Sequence, residues 1–190
     1  MDSKTYGEFD LVPDELVPEG QLSLTLSPSD LTAHWLRCGR ISDFVAGYFA
    51  AAYSAERETS ELMFTAISTV FQVLIENAAR FSRKREAAVH VRVKHFSRIL
   101  MFEVVNTTTP AFAERFVEYL EHISQVRDLG ALYLSIVEAQ TDTPAEVQRS
   151  GIGLLVLRKD HEVRLGVRIT ADEAGRPVIT VRAYQTLEGV

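Results

Sequence analysis

Hydrophobic and polar residues alternate in several stretches of the chain, and this period of two predicts β-strands. In residues 21–26, leucine occupies every second position. In residues 89–94, valine alternates with histidine, arginine and lysine. One face of the sheet should therefore be buried, and the other should face solvent or lie at the rim of a site. A tight connection joins this strand to residues 99–105, and residues 163–170 and 178–184 form a second candidate hairpin. The pattern predicts a mostly antiparallel sheet.

The first helical stretch follows the first strand. Hydrophobic residues recur at helical spacing through residues 31–49. Ser29 or Asp30 is the expected N-terminal cap, since such side chains accept hydrogen bonds from the free N–H groups of a first turn. Gly39 and Gly47 are the expected break points, because glycine weakens a helix. The stretch is therefore predicted to form two helical pieces.

The longest helical pattern covers residues 59–82, where the hydrophobic residues form one stripe. Pro110 then opens two further helical stretches, residues 111–125 and 129–140, and the polar segment 141–150 follows. This order of elements predicts an α+β fold, a two-layer sandwich of a mostly antiparallel sheet with its helices on one face. The long helix should lie at the centre of the core.

The N-terminal residues differ from the rest of the chain. They contain Pro13 and Pro18 among acidic residues. We expect residues 1–20 to form a loose or docked leader outside the main periodic structure, and residues 21–190 to form a single domain. With 190 residues, 46% of them hydrophobic and 24% charged, the chain can bury one substantial core.

Composition and charge exclude several classes of function. A net charge of −6 opposes the clustered phosphate contacts that nucleic-acid binding needs. The lone cysteine, Cys38, can form no internal disulfide, and the five histidines show no spacing typical of a metal site. The chain has neither a secretory signal nor a run of about 20 uninterrupted apolar residues. We expect a cytoplasmic protein that binds neither nucleic acid nor membrane.

Asn77 is the most informative single residue, because it lies on the apolar stripe of the long helix, between Leu74 and Phe81. A buried amide without a partner costs about 1–3 kcal/mol. The Asn77 side chain should therefore either hydrogen-bond to nearby backbone groups or line a polar site between the helix and the sheet. Spacing alone leaves both interpretations open.

Two short motifs resemble those of the GHKL superfamily, which contains the ATP-binding domains of bacterial histidine kinases and anti-sigma kinases. Residues 74–82, LIENAARFS, resemble the N-box helix of that family, with Arg80 at its basic position. Residues 150–159, SGIGLLVLRK, are similar to its second glycine box and the helix after it. A candidate hairpin follows the first motif, as it does in the family.

The resemblance implies a histidine-kinase-like ATPase fold and a site for ATP with magnesium. Asn77 would hold the magnesium of the bound nucleotide, and Arg80 would lie at the nucleotide site. Gly151 and Gly153 would let backbone amides approach phosphate. Asn106 lies where the family carries the aspartate that bonds adenine, and its carbonyl could accept the adenine amino group.

The chain also departs from the family pattern. Val73 occupies the position where many catalytic members carry an acidic or amide residue, and valine cannot transfer a proton. Residues 105–110, VNTTTP, lack both glycines of the first glycine box. A simpler interpretation of this segment is that it ends a strand and caps the helix after Pro110.

The resemblance implies a bacterial signalling protein, similar to small stand-alone kinases that phosphorylate STAS-domain proteins or bind sigma factors. If it is catalytic, it would be an ATP-dependent Ser/Thr protein kinase. The alternative is a degenerate, non-catalytic module that acts by binding a protein partner or, as a homodimer, itself. Such a module should expose an apolar surface, on the leader or around Trp35 and Phe44. A third alternative, an ordinary metabolic enzyme, is ranked last because the sequence shows no set of catalytic residues to support it.

Overall fold

The computed structural model describes residues 3–53, 57–83, 88–140 and 152–187. Within these ranges the strands form one six-stranded sheet in the order β1-β5-β6-β4-β3-β2. Every neighbouring pair of strands in it is antiparallel. The strands are β1 (Lys4–Gly7), β2 (Gly20–Leu26), β3 (Val89–Phe96), β4 (Ile99–Thr107), β5 (Arg164–Ala171) and β6 (Pro177–Thr186).

Helices cover the inner face of this sheet. They are α1 (Pro28–Ala33), α2 (Leu36–Ala50), α3 (Arg57–Phe81), α4 (Pro110–Gln125), α5 (Leu129–Gln140) and α6 (Ile152–Asp160), and a short 3₁₀ turn follows α2 at Ala51–Tyr53. The apolar stripe of α3 packs against alternate residues of β3 and β4 in one large core. The predicted α+β, two-layer architecture is confirmed, and α3 lies at its centre.

Helix α3 is strongly apolar because it lies in the centre of the core. By length and composition alone, Ser60–Phe81 could cross a membrane. However, Ile67, Val70 and Phe71 are completely buried between α2 and the sheet. The helix therefore has the hydropathy of a central core helix.

The start and the interruption of the first helical stretch differ from the prediction. Helix α1 is capped by Ser27, whose side chain accepts a hydrogen bond from the Asp30 backbone N–H at 3.4 Å, with Pro28 in its first turn. The helix breaks after Ala33, at His34 and Trp35, and not at the glycines. Gly39 and Gly47 lie inside α2, where packing against α3 outweighs a cost of about 1 kcal/mol per glycine.

The leader is docked, and part of it belongs to the sheet. Strand β1 pairs with β5 at one edge, which the sequence pattern did not indicate. The chain then passes over the outer face, where Phe9 and Val12 are buried, and returns to the opposite edge at β2. A side chain at Gly166 would block this path, because its Cβ would lie 2.3 Å from the backbone of Phe9. The leader thus covers the sheet face that the helices leave open.

Charged residues hold the leader to this outer face. The guanidinium of buried Arg182 donates to Glu103 Oε2 at 2.8 Å and to Asp14 Oδ1 at 2.7 Å. Arg182 and Arg168 both lie over the Phe9 ring, with 4.3 and 4.0 Å between guanidinium and ring centroid. Burial by itself would lower the pKa of Arg182, but the hydrogen bonds to Glu103 and Asp14 outweigh it and raise that pKa.

Candidate functional site

A cavity of about 360 Å³ lies between the sheet and the helices, at the end of α3. Strands β4 and β6 form its floor, and α3, α4, α5 and the start of α6 form its walls. Three residues predicted from the sequence to form the nucleotide site, Asn77, Asn106 and Gly153, line this one cavity. The fold thus brings together residues from three distant parts of the chain.

Asn77 and Asn106 reach the cavity for different local reasons. Asn77 lies one turn after Leu74 and one turn before Phe81, and all three line the cavity because they share a helix face. Asn106 follows Phe102 and Val104 at strand spacing, so it points to the same inner face of the sheet. The helical period of α3 and the strand period of β4 therefore direct both amide side chains to the same cavity.

Neither amide side chain is hydrogen-bonded within the described residues, and Asn106 is only 6% exposed. Neither amide is among the fully buried polar atoms that lack a partner in the described residues, and both open onto the cavity. Of the two interpretations of Asn77 that the sequence left open, the structure places its side chain at a cavity and not against backbone groups. Both amides are therefore free to bind a ligand.

Gly153 is the second residue of α6, and it lets that helix pack closely on α3. A Cβ at this position would lie 2.9 Å from Val73 Cγ1 and 3.3 Å from Asn77 Nδ2. The first turn of α6, whose backbone N–H groups have no partner within the helix, is therefore next to Asn77. Gly151 and the polar segment 141–150 lie outside the described residues, so their predicted roles stay predictions.

In the segment after Val105, one residue faces the cavity and another caps helix α4. Strand β4 continues to Thr107, and the α4 cap is Thr109, whose hydroxyl accepts a hydrogen bond from the Phe112 backbone N–H at 3.3 Å. Asn106 takes no part in that cap. The simpler interpretation of this segment, a strand end and a helix cap, is thus confirmed for Thr109, while Asn106 faces the cavity.

Aromatic rings form one wall of the cavity, which sequence reasoning did not single out. Phe112 stacks on Phe81 with ring centroids 4.3 Å apart and on Phe116 at 5.8 Å. Phe112, Phe116 and Tyr119 share one face of α4, so a helical period in that stretch was the available signal. Such a wall suits a flat ring.

The ionisable lining residues in the described part of the chain are Arg115 and Tyr119. Burial raises the pKa of Tyr119 to about 12, so its hydroxyl stays protonated near neutral pH. Arg115 is exposed and provides a positive charge. Val73 packs near Gly153 and provides no proton-transfer group. The described lining can bind a polar ligand but contains no carboxylate or imidazole base.

Arg80 lies apart from the cavity. Its guanidinium is 6.0 Å from the centroid of the Trp35 ring, and it is not among the lining residues. Arg80 follows Asn77 by three residues on α3, but its long side chain extends towards Trp35 and not into the cavity. The cation that the structure places at the cavity is Arg115 instead.

Comparison with solved structures identifies a similar fold. A chain of the SiaB–SiaC complex from Pseudomonas aeruginosa superposes with a TM-score of 0.59 and 15% sequence identity. The match covers 86% of this chain and 89% of that chain. The two chains share a fold. No family model matches this sequence, and no curated protein matches it.

Proposed function

We propose that this chain is a regulatory domain that binds an adenine nucleotide in the cavity and acts through a protein partner. The observation that carries the proposal is the convergence of Asn77, Asn106 and Gly153 on one cavity with both amides unpartnered among the described residues. These are the residues to which the GHKL resemblance assigns magnesium, adenine and phosphate.

The residues present fit a magnesium-bound nucleotide. The Asn77 amide provides a hard oxygen donor, the type that magnesium prefers. The buried Asn106 carbonyl can accept the adenine amino group, and the Phe112 wall can pack on the base. Magnesium, when bound, would offset phosphate charge beside the first turn of α6.

The same lining favours binding over phosphoryl transfer. A kinase needs a group that positions or accepts the proton of the attacking hydroxyl. Val73 stands where the resemblance would put such a group, and the described lining residues contain no carboxylate. We therefore assign the nucleotide a conformational role in this domain.

The partner is proposed to be a regulatory protein of the STAS-domain or sigma-factor class, as the resemblance implies. The fold neighbour supports a protein partner, because it was solved as a complex of two proteins. Nucleotide and partner would then be linked thermodynamically, each changing the affinity of the other by the same factor.

Thermal melting with Mg-ATP, Mg-ADP and EDTA tests the nucleotide site. Ligand at 100 times its Kd adds about 2.7 kcal/mol of stability. The wild-type protein should show an upward shift of the melting temperature that EDTA reduces, and Asn77→Ala should lose it. Gln72→Ala is the matched control, since Gln72 lies on the same helix, bonds to Glu76 and does not line the cavity.

An equal shift in wild type and Asn77→Ala would refute the assignment of Asn77. No shift at all would favour the second candidate, a non-catalytic module that acts by protein contacts alone. The observation behind that candidate is the exposed apolar surface of α2. Incubation with radiolabelled ATP and candidate partners then tests for phosphoryl transfer.

A further inference from the structure

Helix α2 presents apolar side chains on two opposite sides. Cys38, Val45 and Phe49 are buried towards the core. On the outer side, Leu36 is 88% exposed and Phe44 60% exposed.

The third large residue of this outer stripe is Tyr48, which is 53% exposed. Exposed apolar residues that occur singly are ordinary, whereas a stripe of three on one helix indicates an interaction surface. The remaining large exposed apolar residues of the described chain lie mostly on other elements: Leu16, Val17, Trp35, Leu62, Leu134 and Val137. The sequence had predicted an exposed surface around Trp35 and Phe44, and the structure exposes both.

Two opposite charges lie within the stripe. Arg40 and Asp43 are both exposed and less than one turn apart, beside Phe44. Asp43 accepts a hydrogen bond from Ser68 Oγ at 3.0 Å, which orients its carboxylate on this surface. Arg40 forms no ion pair within the described residues. Such a surface is complementary to a second copy of itself when a two-fold axis brings the charge of each sign opposite its counterpart.

Antiparallel pairing with the same helix of another copy would place each large residue of the stripe opposite another residue of the stripe. If Leu36 lies opposite Tyr48 of the second copy, then Arg40 lies opposite Phe44, because antiparallel helices advance by equal steps in opposite directions. Arg40 can then stack on that ring and reach Asp43 of the second copy. In this register Gly47, which has no side chain, lies opposite the long side chain of Arg37.

We propose that α2 is a homodimer interface, in which two copies pair these helices antiparallel about a two-fold axis. The inference goes beyond the nucleotide site and does not depend on it. Helix α2 has 15 residues and spans about 22 Å. One such helix pair buries less than the roughly 1,600 Å² of a standard interface, so we expect a dimer with a Kd on the order of micromolar.

Analytical ultracentrifugation of the full chain, over a concentration series that spans the micromolar range, tests the dimer. The wild-type protein should pass from monomer to dimer, and Phe44→Asp should stay monomeric. Leu134→Asp is the matched control, because Leu134 is equally exposed but lies on α5. A wild type that is monomeric throughout, or a Phe44→Asp variant that dimerises normally, overturns the proposal.

Charge reversal tests the complementarity. Arg40→Asp should weaken the dimer at least tenfold, and adding Asp43→Arg to it should recover most of the loss. Both positions are exposed, so circular dichroism should show that each variant folds. A double variant as weak as Arg40→Asp alone overturns the charge pairing.

Cysteine cross-linking tests the register. In a Cys38→Ala background, a mixture of Arg40→Cys and Phe44→Cys chains should form disulfide-linked dimers faster than either chain does alone. Equal cross-linking in the mixture and in the separate chains would contradict the antiparallel register.

Discussion

Two polar residues of β4 show how differently the two faces of one sheet are built. Glu103 and Asn106 are three residues apart on the strand, so they point to opposite faces. Both are buried. Glu103 on the outer face is paired with Arg182 at 2.8 Å and with Arg92 at 3.2 Å. Asn106 on the inner face has no side-chain partner among the described residues and borders the cavity.

This difference separates stability from binding. On the outer face, each buried charge is compensated within the chain, and the leader completes the arrangement through Asp14 and the Phe9 ring. On the inner face, the amides of Asn77 and Asn106 have no side-chain partner among the described residues and open onto the cavity, which leaves them available to a ligand. Mutations on the outer face should therefore lower the stability of the protein, whereas mutations on the inner face should weaken ligand binding and change stability little.

The largest expected effect is on the outer face. Arg182→Ala should lower the free energy of unfolding by about 3–5 kcal/mol, because it leaves the buried Glu103 carboxylate without its main partner. Urea denaturation measures the change. The control is Arg164→Ala, since Arg164 and Glu8 form a half-exposed pair and its loss should cost less than about 1 kcal/mol. Equal losses in both variants would contradict the contrast between buried and exposed pairs.

On the inner face, a smaller change in stability is expected, together with a loss of ligand binding. Asn106→Leu should leave the stability of the ligand-free protein within about 1 kcal/mol of wild type, because no hydrogen bond is broken. It should nevertheless abolish the melting shift produced by adenosine, which probes the base without phosphate or magnesium.

Thr107→Val is the matched control for Asn106→Leu. The Thr107 hydroxyl is next to Asn106 in the chain and is buried without a partner, but it does not line the cavity, so its loss should leave the adenosine response unchanged. A loss of several kcal/mol in Asn106→Leu would instead indicate that the amide has a structural role.

The smallest effect is the pH dependence of leader docking. The hydrogen bond from Arg182 lowers the pKa of Asp14 below its ordinary value of 3.8. A carboxylate with a lowered pKa stabilises the fold above its unfolded-state pKa, and this contribution disappears as the pH falls through the folded-state pKa.

Asp14→Asn should therefore cost at most about 1 kcal/mol near neutral pH. The difference from wild type should close as the pH drops below 3.8. Urea denaturation at a series of pH values measures it. A difference that persists unchanged in acid would show that Asp14 acts through packing and not through its charge.

The sequence predicted the strands and the central helix well, because each has a hydrophobic period that depends only on local geometry. The β3–β4 connection was also predictable, and the structure pairs Phe96 with Ile99 across a two-residue turn. The failures occurred where packing decided the outcome. Gly39 and Gly47 stay helical because α2 packs against α3, and β1 forms because β5 offers an unpaired edge.

The candidate site was predictable in part. Asn77 was found because an amide on an apolar stripe is unusual, and Asn106 and Gly153 were found through the family resemblance. Arg115 and the Phe112 wall carried no local signal of function, since ordinary amphipathic helices contain the same residue types. The resemblance also assigned Arg80 to the site, whereas its side chain lies beside Trp35.

The sequence by itself determined strands β2 to β6, the helical stretches and which face of each is apolar, since these properties follow from periods of two and 3.6 residues. Only the tertiary structure decided that Asn77, Asn106 and Gly153 border one cavity, and that the acidic leader pairs with arginines on the opposite face of the sheet. The physical reason is that these contacts join distant parts of the chain, and their geometry is set by how the elements pack.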